Sequence, residues 1–186
     1  MAEERFNTAV KRFETANTGV FWDADGCKKP VGLNAVVVSQ NIRSALKRLN
    51  YHGEVSIFAY GESNKILDGL ESDPNELPIN IFKQTSNTFD YRGDEYGRLQ
   101  RILTDFMCWQ VDNPVPANVM LVLGDDISSR DEFVCALNHL SSSHYNMHFA
   151  YPQGAAEPKN FPVHTKWLWE SLSVRGTLIK YEDKRT

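Results

Sequence analysis

The chain has 186 residues, 41% of them hydrophobic and 24% charged, the size and composition of one ordinary globular domain. Its longest unbroken apolar stretch, Val119-Met120-Leu121-Val122-Leu123, is far too short to cross a bilayer. Twenty Lys and Arg stand against 24 Asp and Glu, a net charge of −4, which excludes holding nucleic acid by bulk positive charge.

Met1-Ala2-Glu3-Glu4 opens acidic with no apolar run behind it, unlike a secretory or transit signal. The expectation is therefore an intracellular chain, with the cytoplasm favoured and no membrane partner. Cys27, Cys108 and Cys135 are odd in number and form no Cys-x-x-Cys pair, so they are expected to be buried thiols rather than disulfides or zinc ligands. The five His residues (52, 139, 144, 148 and 164) show no ligand spacing and are read as structural or surface groups.

In chain order, Phe6, Val10 and Phe13 recur at helix spacing, which suggests an N-terminal arm packed on the domain. Thr18–Asp23 reads as a buried strand. Between 34 and 50, Val38, Ile42, Ala45, Leu46 and Leu49 form a helical stripe, with Arg43, Lys47 and Arg48 elsewhere. A second strand is expected over 54–60, a short helix over 63–70 ended by Ser72-Asp73-Pro74, and a third strand over 78–83. A polar loop over 84–93 precedes the longest helix, 94–111, with Asp94 as N-cap and Leu99, Ile102, Leu103, Phe106 and Met107 on one face.

Asn113-Pro114-Val115-Pro116 ends that helix. A strand over 118–123, a helix over 129–140 and a strand over 145–151 follow. Gly, Pro and charge fill 152–163, and Trp167-Leu168-Trp169 starts a last helix. This alternation predicts a three-layer α/β/α domain around a mainly parallel sheet of about five strands.

In such folds ligands bind beyond the carboxyl ends of the strands, and here those ends are acidic. Asp23 and Asp25 close the first strand, Asp125 and Asp126 the fourth. Gly124 allows close approach of backbone and ligand. Carboxylates converging on one crevice repel each other unless a cation or protons relieve them, and hard oxygen donors suit magnesium or manganese rather than zinc. The natural use of such a centre is metal-assisted chemistry on a phosphate. Asp105 lies in the long helix, and Asp112, seven residues on, reads as a helix-end residue. Asp25 and Asp126 taken singly are equally well read as turn residues.

Two phosphate-handling families share these features. Asp23-Ala24-Asp25-Gly26 and Gly124-Asp125 resemble the haloacid-dehalogenase-like phosphatases, which implies Asp23 as nucleophile and Asp25 as acid/base. Cys27 stands where that family has Thr, and no phosphate-binding Lys motif lies between the two segments.

A longer match runs through 16–175. Val20-Phe21-Trp22-Asp23-Ala24-Asp25-Gly26-Cys27, Gln40-Asn41-Ile42-Arg43-Ser44-Ala45-Leu46, Val55-Ser56-Ile57-Phe58-Ala59-Tyr60-Gly61 and Ile102-Leu103-Thr104-Asp105-Phe106-Met107-Cys108-Trp109 carry it. Val111-Asp112-Asn113-Pro114, Leu123-Gly124-Asp125, Tyr145-Asn146 and Trp167-Leu168-Trp169 follow in the same order. Together they resemble the NYN domain, a PIN-like nuclease fold of the meiosis-regulator and mRNA-stability-factor type, especially its plant-type members.

The resemblance implies an arm over 1–17, a nuclease domain over 18–175 and a tail over 176–186. It also implies a magnesium- or manganese-dependent endoribonuclease acting on RNA, single-stranded by expectation. Asp23 matches the family's first metal-binding Asp, Asp105 an acid of the central helix, and Asp125 the Asp of Ser/Thr-Gly-Asp, with Asp25 and Asp126 as further metal ligands. Lys28, Lys29 and Arg101 are candidates for the RNA phosphates. Trp22 and Tyr60 are candidates for stacking a base, with core packing the more frequent use of such residues.

Three positions depart from the family pattern. Asp25-Gly26 replaces Glu/Asp-Asn, Leu99 stands where the central helix often carries a second acid, and Gly124-Asp125-Asp126-Ile127-Ser128 replaces Gly-Asp-x-Asp-Phe. The last pair reappears as Glu132-Phe133, so Asp126, Asp131 or Glu132 is the candidate fourth acid. These departures raise an alternative of another class, an NYN domain that binds RNA or protein and no longer cuts.

Overall fold

Thr18–Asp23 (β1), Val55–Gly61 (β2), Asn80–Lys83 (β3), Asn118–Val122 (β4), Asn146–Tyr151 (β5) and Thr165–Leu168 (β6) form one sheet. The computed structural model describes residues 11–68, 79–83, 95–124, 130–155 and 163–174. The strand order is β3-β2-β1-β4-β5-β6, and all five pairings are parallel. Ala35–Arg48 (α1), Ser63–Leu67 (α2), Glu95–Asp112 (α3), Asp131–Ser142 (α4) and Trp169–Val174 (α5) connect and cover the strands.

Each central strand is buried on both faces, so β1, β4 and β5 read as near-continuous apolar runs, as parallel strands do. Alternation sorts their side chains. Phe21, Tyr60, Val119, Leu121, Met147 and Phe149 pack with Leu99, Ile102 and Phe106 of α3 and Phe133 and Leu137 of α4. On the opposite face Val20, Trp22, Ile57, Met120 and Ala150 pack with Val38, Ile42 and Leu46 of α1 and Leu172 of α5. Each fully buried Phe, Leu or Ile contributes about 1.5–3 kcal/mol over leaving it in water. The two apolar faces therefore hold the sheet, and the polar groups at its ends ride on that frame.

Local chemistry explains where α1 begins. Asn34 is extended (φ −93°, ψ 167°), and its Oδ1 accepts from the Val37 amide at 3.0 Å, satisfying one orphan donor of the first turn. Lys47 and Arg48 lie in the last turn, where the helix dipole favours cations. In α3 the buried stripe is Leu99, Ile102, Phe106 and Trp109, while Met107 is 39% exposed. The expected inward Met107 is thus replaced by Trp109, three residues past Phe106, whose ring meets Phe21 edge-on at 6.2 Å.

The sheet has a sixth strand that the pattern does not announce. Trp167-Leu168-Trp169 reads as a helix start, yet Thr165–Leu168 pairs with β5, and α5 begins directly at Trp169. Four residues are too few for periodicity to separate strand from helix, and the free edge of β5 decides the matter.

The last residues of the arm are tied down. The Asn118 side chain donates to the carbonyls of Phe13 and Ala16, and the His52 amide donates to Glu14. Phe6, Val10, the Asp94 cap and the 84–93 loop lie outside the described residues. Among the described residues no helix is long and apolar enough to cross a membrane.

Candidate active site

The strand order reverses between β1 and β4, and the crevice at their carboxyl ends is where a doubly wound sheet binds its ligands. β1 delivers Asp23 there on the α3 face, the same face as Phe21. The carboxylate is 1% exposed. Its Oδ1 accepts from Arg98 Nε at 2.6 Å, from the Gly26 amide at 3.0 Å and from the Asp25 amide at 3.2 Å. Oδ2 takes a longer contact with Arg98 Nη2, 3.5 Å. Arg98 Nη1 reaches Asp25 Oδ2 at 3.4 Å, so one guanidinium bridges both carboxylates.

Burial pushes the Asp23 carboxyl above its ordinary value, more than the pull of Arg98 and the two amides lowers it. A carboxylate withdrawn from water this far needs a cation beside it to stay ionised.

Asp105 projects from α3 toward the next strand. Its Oδ2 accepts from Tyr60 Oη at 3.1 Å and from Arg101 Nε at 2.7 Å. Tyr60 stands opposite Asp23 in the β1–β2 register, so the phenol that holds Asp105 comes from the strand beside the one that carries Asp23. Burial, then the Asp105 charge, pushes the Tyr60 phenol far up, and it acts as a neutral donor. Arg101 is bonded to Asp105, the main cause of its raised value, so any phosphate it meets lies next to that ion pair.

Gly124, at the end of β4, lies against the Asp23 loop. A Cβ on Gly124 would sit 2.5 Å from backbone atoms of Gly26, and a Cβ on Gly26 would run into the Asp23 carboxylate. The expectation that Gly124 makes room for a ligand is corrected here, because its bare backbone makes room for Gly26. The same crowding accounts for Gly26 itself, since an Asn at that position would displace Asp23. Asp125 and Asp126, the next two residues, lie outside the described residues.

The other candidates sort as follows. Asp131 and Glu132 sit in the first turn of α4, where the helix N-terminus favours acids. Asp112 is the exposed last residue of α3. Lys28 and Lys29 border a cavity of about 420 Å³ shared with Trp22, Lys65 and Ile66. Lys29 Nζ is held by Asp68 at 3.2 Å and by the Leu33 carbonyl at 3.3 Å, and Lys28 is exposed.

Neither aromatic candidate offers a face to a base. Trp22 is fully buried, donates to the Cys27 carbonyl at 2.7 Å and lies 5.3 Å from the Trp169 ring, while Tyr60 is spent on Asp105. The thiols also differ from expectation: Cys27 is buried, but Cys108 and Cys135 are exposed, because both fall on the solvent sides of their helices.

Arg98 was absent from the sequence candidates. Its signal was helical spacing, since Arg98, Arg101 and Asp105 fall at i, i+3 and i+7 along one face of α3. Arg101 of that face is a sequence candidate for RNA phosphates, while the cation that meets Asp23 and Asp25 is Arg98, one turn before it.

The model of the NYN domain matches residues 17–162, most of the chain. The chain belongs to the NYN-domain family. Its three-layer fold with an all-parallel sheet is the PIN-like nuclease fold, and the family match runs through the segments that the phosphatase resemblance would also need. A search of curated proteins returns no match.

The nuclease fold implies a divalent metal ion. Among the described residues no group of three or more His, Cys, Asp or Glu side chains comes close enough to hold one. The donor set nevertheless fits in kind: the place between Asp23 and Asp25 is lined by hard oxygens and is already taken by a cation, the Arg98 guanidinium. In number, a third donor has to come from elsewhere, and Asp125 follows directly on Gly124.

Proposed function

We propose that this NYN domain is an endoribonuclease that hydrolyses phosphodiester bonds of single-stranded RNA with Mg²⁺ or Mn²⁺. The observation that carries the proposal is the pair Asp23–Asp25, gathered at the strand-order reversal around a position that holds a cation. Asp23, Asp25 and Asp125 would hold the ion, with Asp126, Asp131 or Glu132 as a fourth acid and Asp105 beside them. Bound there, the ion supplies a water of lowered pKa and neutralises charge on the phosphodiester.

The chain's own groups do the rest. The Asp25 and Gly26 amides fix the Asp23 carboxylate in one orientation, which costs no reorganisation when the substrate arrives. Tyr60 fixes Asp105 in the same way. Arg101, at the crevice mouth, and Lys28 and Lys29, on the loop after β1, meet the RNA phosphates as positioning contacts without base selectivity.

A second reading is favoured by one specific observation: Asp105 is already satisfied by Tyr60 and Arg101, and Asp23 and Asp25 by Arg98. An NYN domain in this state is an RNA- or protein-binding module without turnover.

The deciding experiment is cleavage of an end-labelled, unstructured RNA with Mg²⁺, Mn²⁺ or EDTA. The nuclease reading expects internal cuts that need metal and that slow at least about 100-fold in Asp23→Asn, the loss of roughly 3 kcal/mol of transition-state stabilisation. No cuts by a folded wild type in either metal would select the binding module. Release of phosphate from small monoesters without internal RNA cuts would instead favour the phosphatase.

A further inference from the structure

We infer that Arg98 is an intramolecular competitor for the metal position: its guanidinium bridges Asp23 and Asp25 in the metal-free protein and has to leave before a divalent ion enters. The inference rests on the metal-dependent reading above. It starts from geometry. Arg98 approaches Asp23 Oδ1 at 2.6 Å and Asp25 Oδ2 at 3.4 Å, and so bridges the two carboxylates that a metal would share. Its side chain is 13% exposed and that of Asp23 1%, so the pair is largely withdrawn from water, where charge-assisted hydrogen bonds are strong.

Electrostatics makes the arrangement reciprocal. A buried carboxylate left with neither a cation nor a proton is strongly unfavourable, so a positive group is favoured at this place whether or not metal is present. A guanidinium and a divalent ion cannot occupy it together. Arg98 therefore lowers the apparent metal affinity by the fraction of time the bridge is open. It also offsets half of the paired carboxylate charge when metal is scarce.

The position on α3 permits the exchange. Arg98 lies one turn from the helix start at Glu95, with two methylenes between its Cβ and the guanidinium, so rotamer change alone can carry the guanidinium off. The carboxylate Oδ1 keeps its two backbone donors when Arg98 leaves, so Asp23 stays oriented for the incoming ion.

The test uses the full chain and Mn²⁺ alone, read by electron paramagnetic resonance of free ion and by thermal melting. Arg98→Gln is expected to bind Mn²⁺ about tenfold tighter or more than wild type, as removal of a competing state requires. It is also expected to melt lower without metal and to gain more from Mn²⁺. Equal or weaker Mn²⁺ binding by a folded Arg98→Gln overturns the inference and leaves the metal reading standing. Mn²⁺ binding by neither protein, both folded, overturns the metal reading and the inference with it.

A measurement on wild type guards against a variant that does not fold. The Arg98 Nε–H resonance is expected to be protected from solvent in EDTA and to lose that protection as Mg²⁺ saturates the site. Protection that persists at saturating Mg²⁺ overturns the inference.

Discussion

The two ends of the same three strands solve the problem of buried polarity differently. At the amino end, Thr18, Asn118, Asn146 and His148 are all buried and all neutral. Asn118 Nδ2 donates to Thr18 Oγ1 at 3.2 Å and to the Phe13 and Ala16 carbonyls, its Oδ1 accepts from Asn146 at 2.7 Å, and Asn146 meets His148 Nε2 at 3.1 Å. At the carboxyl end the buried group is a charge, Asp23, answered by Arg98. A neutral network costs little to bury once its partners are made, and here His148 Nδ1 is left without one, whereas a buried charge keeps a standing demand for a cation. The first is a structural joint between strands and arm; the second is the place where the proposed metal would stand.

The largest expected effect on stability is at the amino end. Asn118→Leu strips partners from Asn146, Thr18 and two carbonyls at once and is expected to cost about 3 kcal/mol in urea denaturation, in the range for a broken buried network. Asp23→Asn is expected to alter denaturation much less while removing metal-dependent cleavage. If Asn118→Leu proved nearly neutral, the amino end would not be the joint described here.

Next in size is a pH effect with opposite signs at the two ends. Burial first, and then the nearby His164, lowers His148 to about 3 from 6.5. The folded imidazole stays neutral where the unfolded one protonates, so its contribution is present above pH 6.5 and is lost as pH falls toward 3. By pH 5 the loss is about 2 kcal/mol. Asp23 acts in the other direction, because its folded value is raised: its contribution is present below the unfolded value and is lost as pH rises through the folded one. Denaturation between pH 4 and 7 should therefore lose most of its acid-side fall in His148→Gln, the remainder coming from His164, which burial also lowers, and the opposing slope should flatten in Asp23→Asn. A wild-type profile with no fall below pH 6.5 would contradict the burial of a neutral His148.

The smallest stability effect expected is Gly124→Ala. Its Cβ would meet the Gly26 backbone at 2.5 Å, and relaxing such an overlap costs about 1–2 kcal/mol. The displaced loop carries Asp23 and Asp25, so cleavage should fall by about tenfold or more, beyond what the stability change explains, since small misplacements are expensive in a positioned site. A variant with wild-type rate and stability would mean the two glycines are not in tight register.

The legibility of the chain follows the same division. β1 was readable to the residue, and α1, β2, α3, β4, α4 and β5 to within one or two at each end, because long apolar runs and 3.6-residue stripes survive in any context. The acid pair at the end of β1 was readable for the same reason: an apolar strand must deliver Asp23 and Asp25 to its carboxyl end. Trp22 and Tyr60 were left between base stacking and the more frequent core packing, and both are buried, because an aromatic at a strand end looks alike whether it faces a ligand or a neighbouring helix. Met107 and Trp109 exchanged places for a related reason, since a helical stripe fixes a face only to within a residue or two.

What the sequence by itself determined is the order of elements, the α/β class and the acid pair Asp23 and Asp25 at the carboxyl end of β1, all consequences of local periodicity and strand polarity. Only the tertiary structure decided that Thr165–Leu168 joins the sheet, that Gly26 and Gly124 are glycines for each other's sake, and that Arg98 answers Asp23. Those three facts depend on groups far apart in the chain meeting at van der Waals or hydrogen-bond distance. Arg98 and Asp23 are separated by 75 positions, and no local pattern records which cation will reach a buried carboxylate.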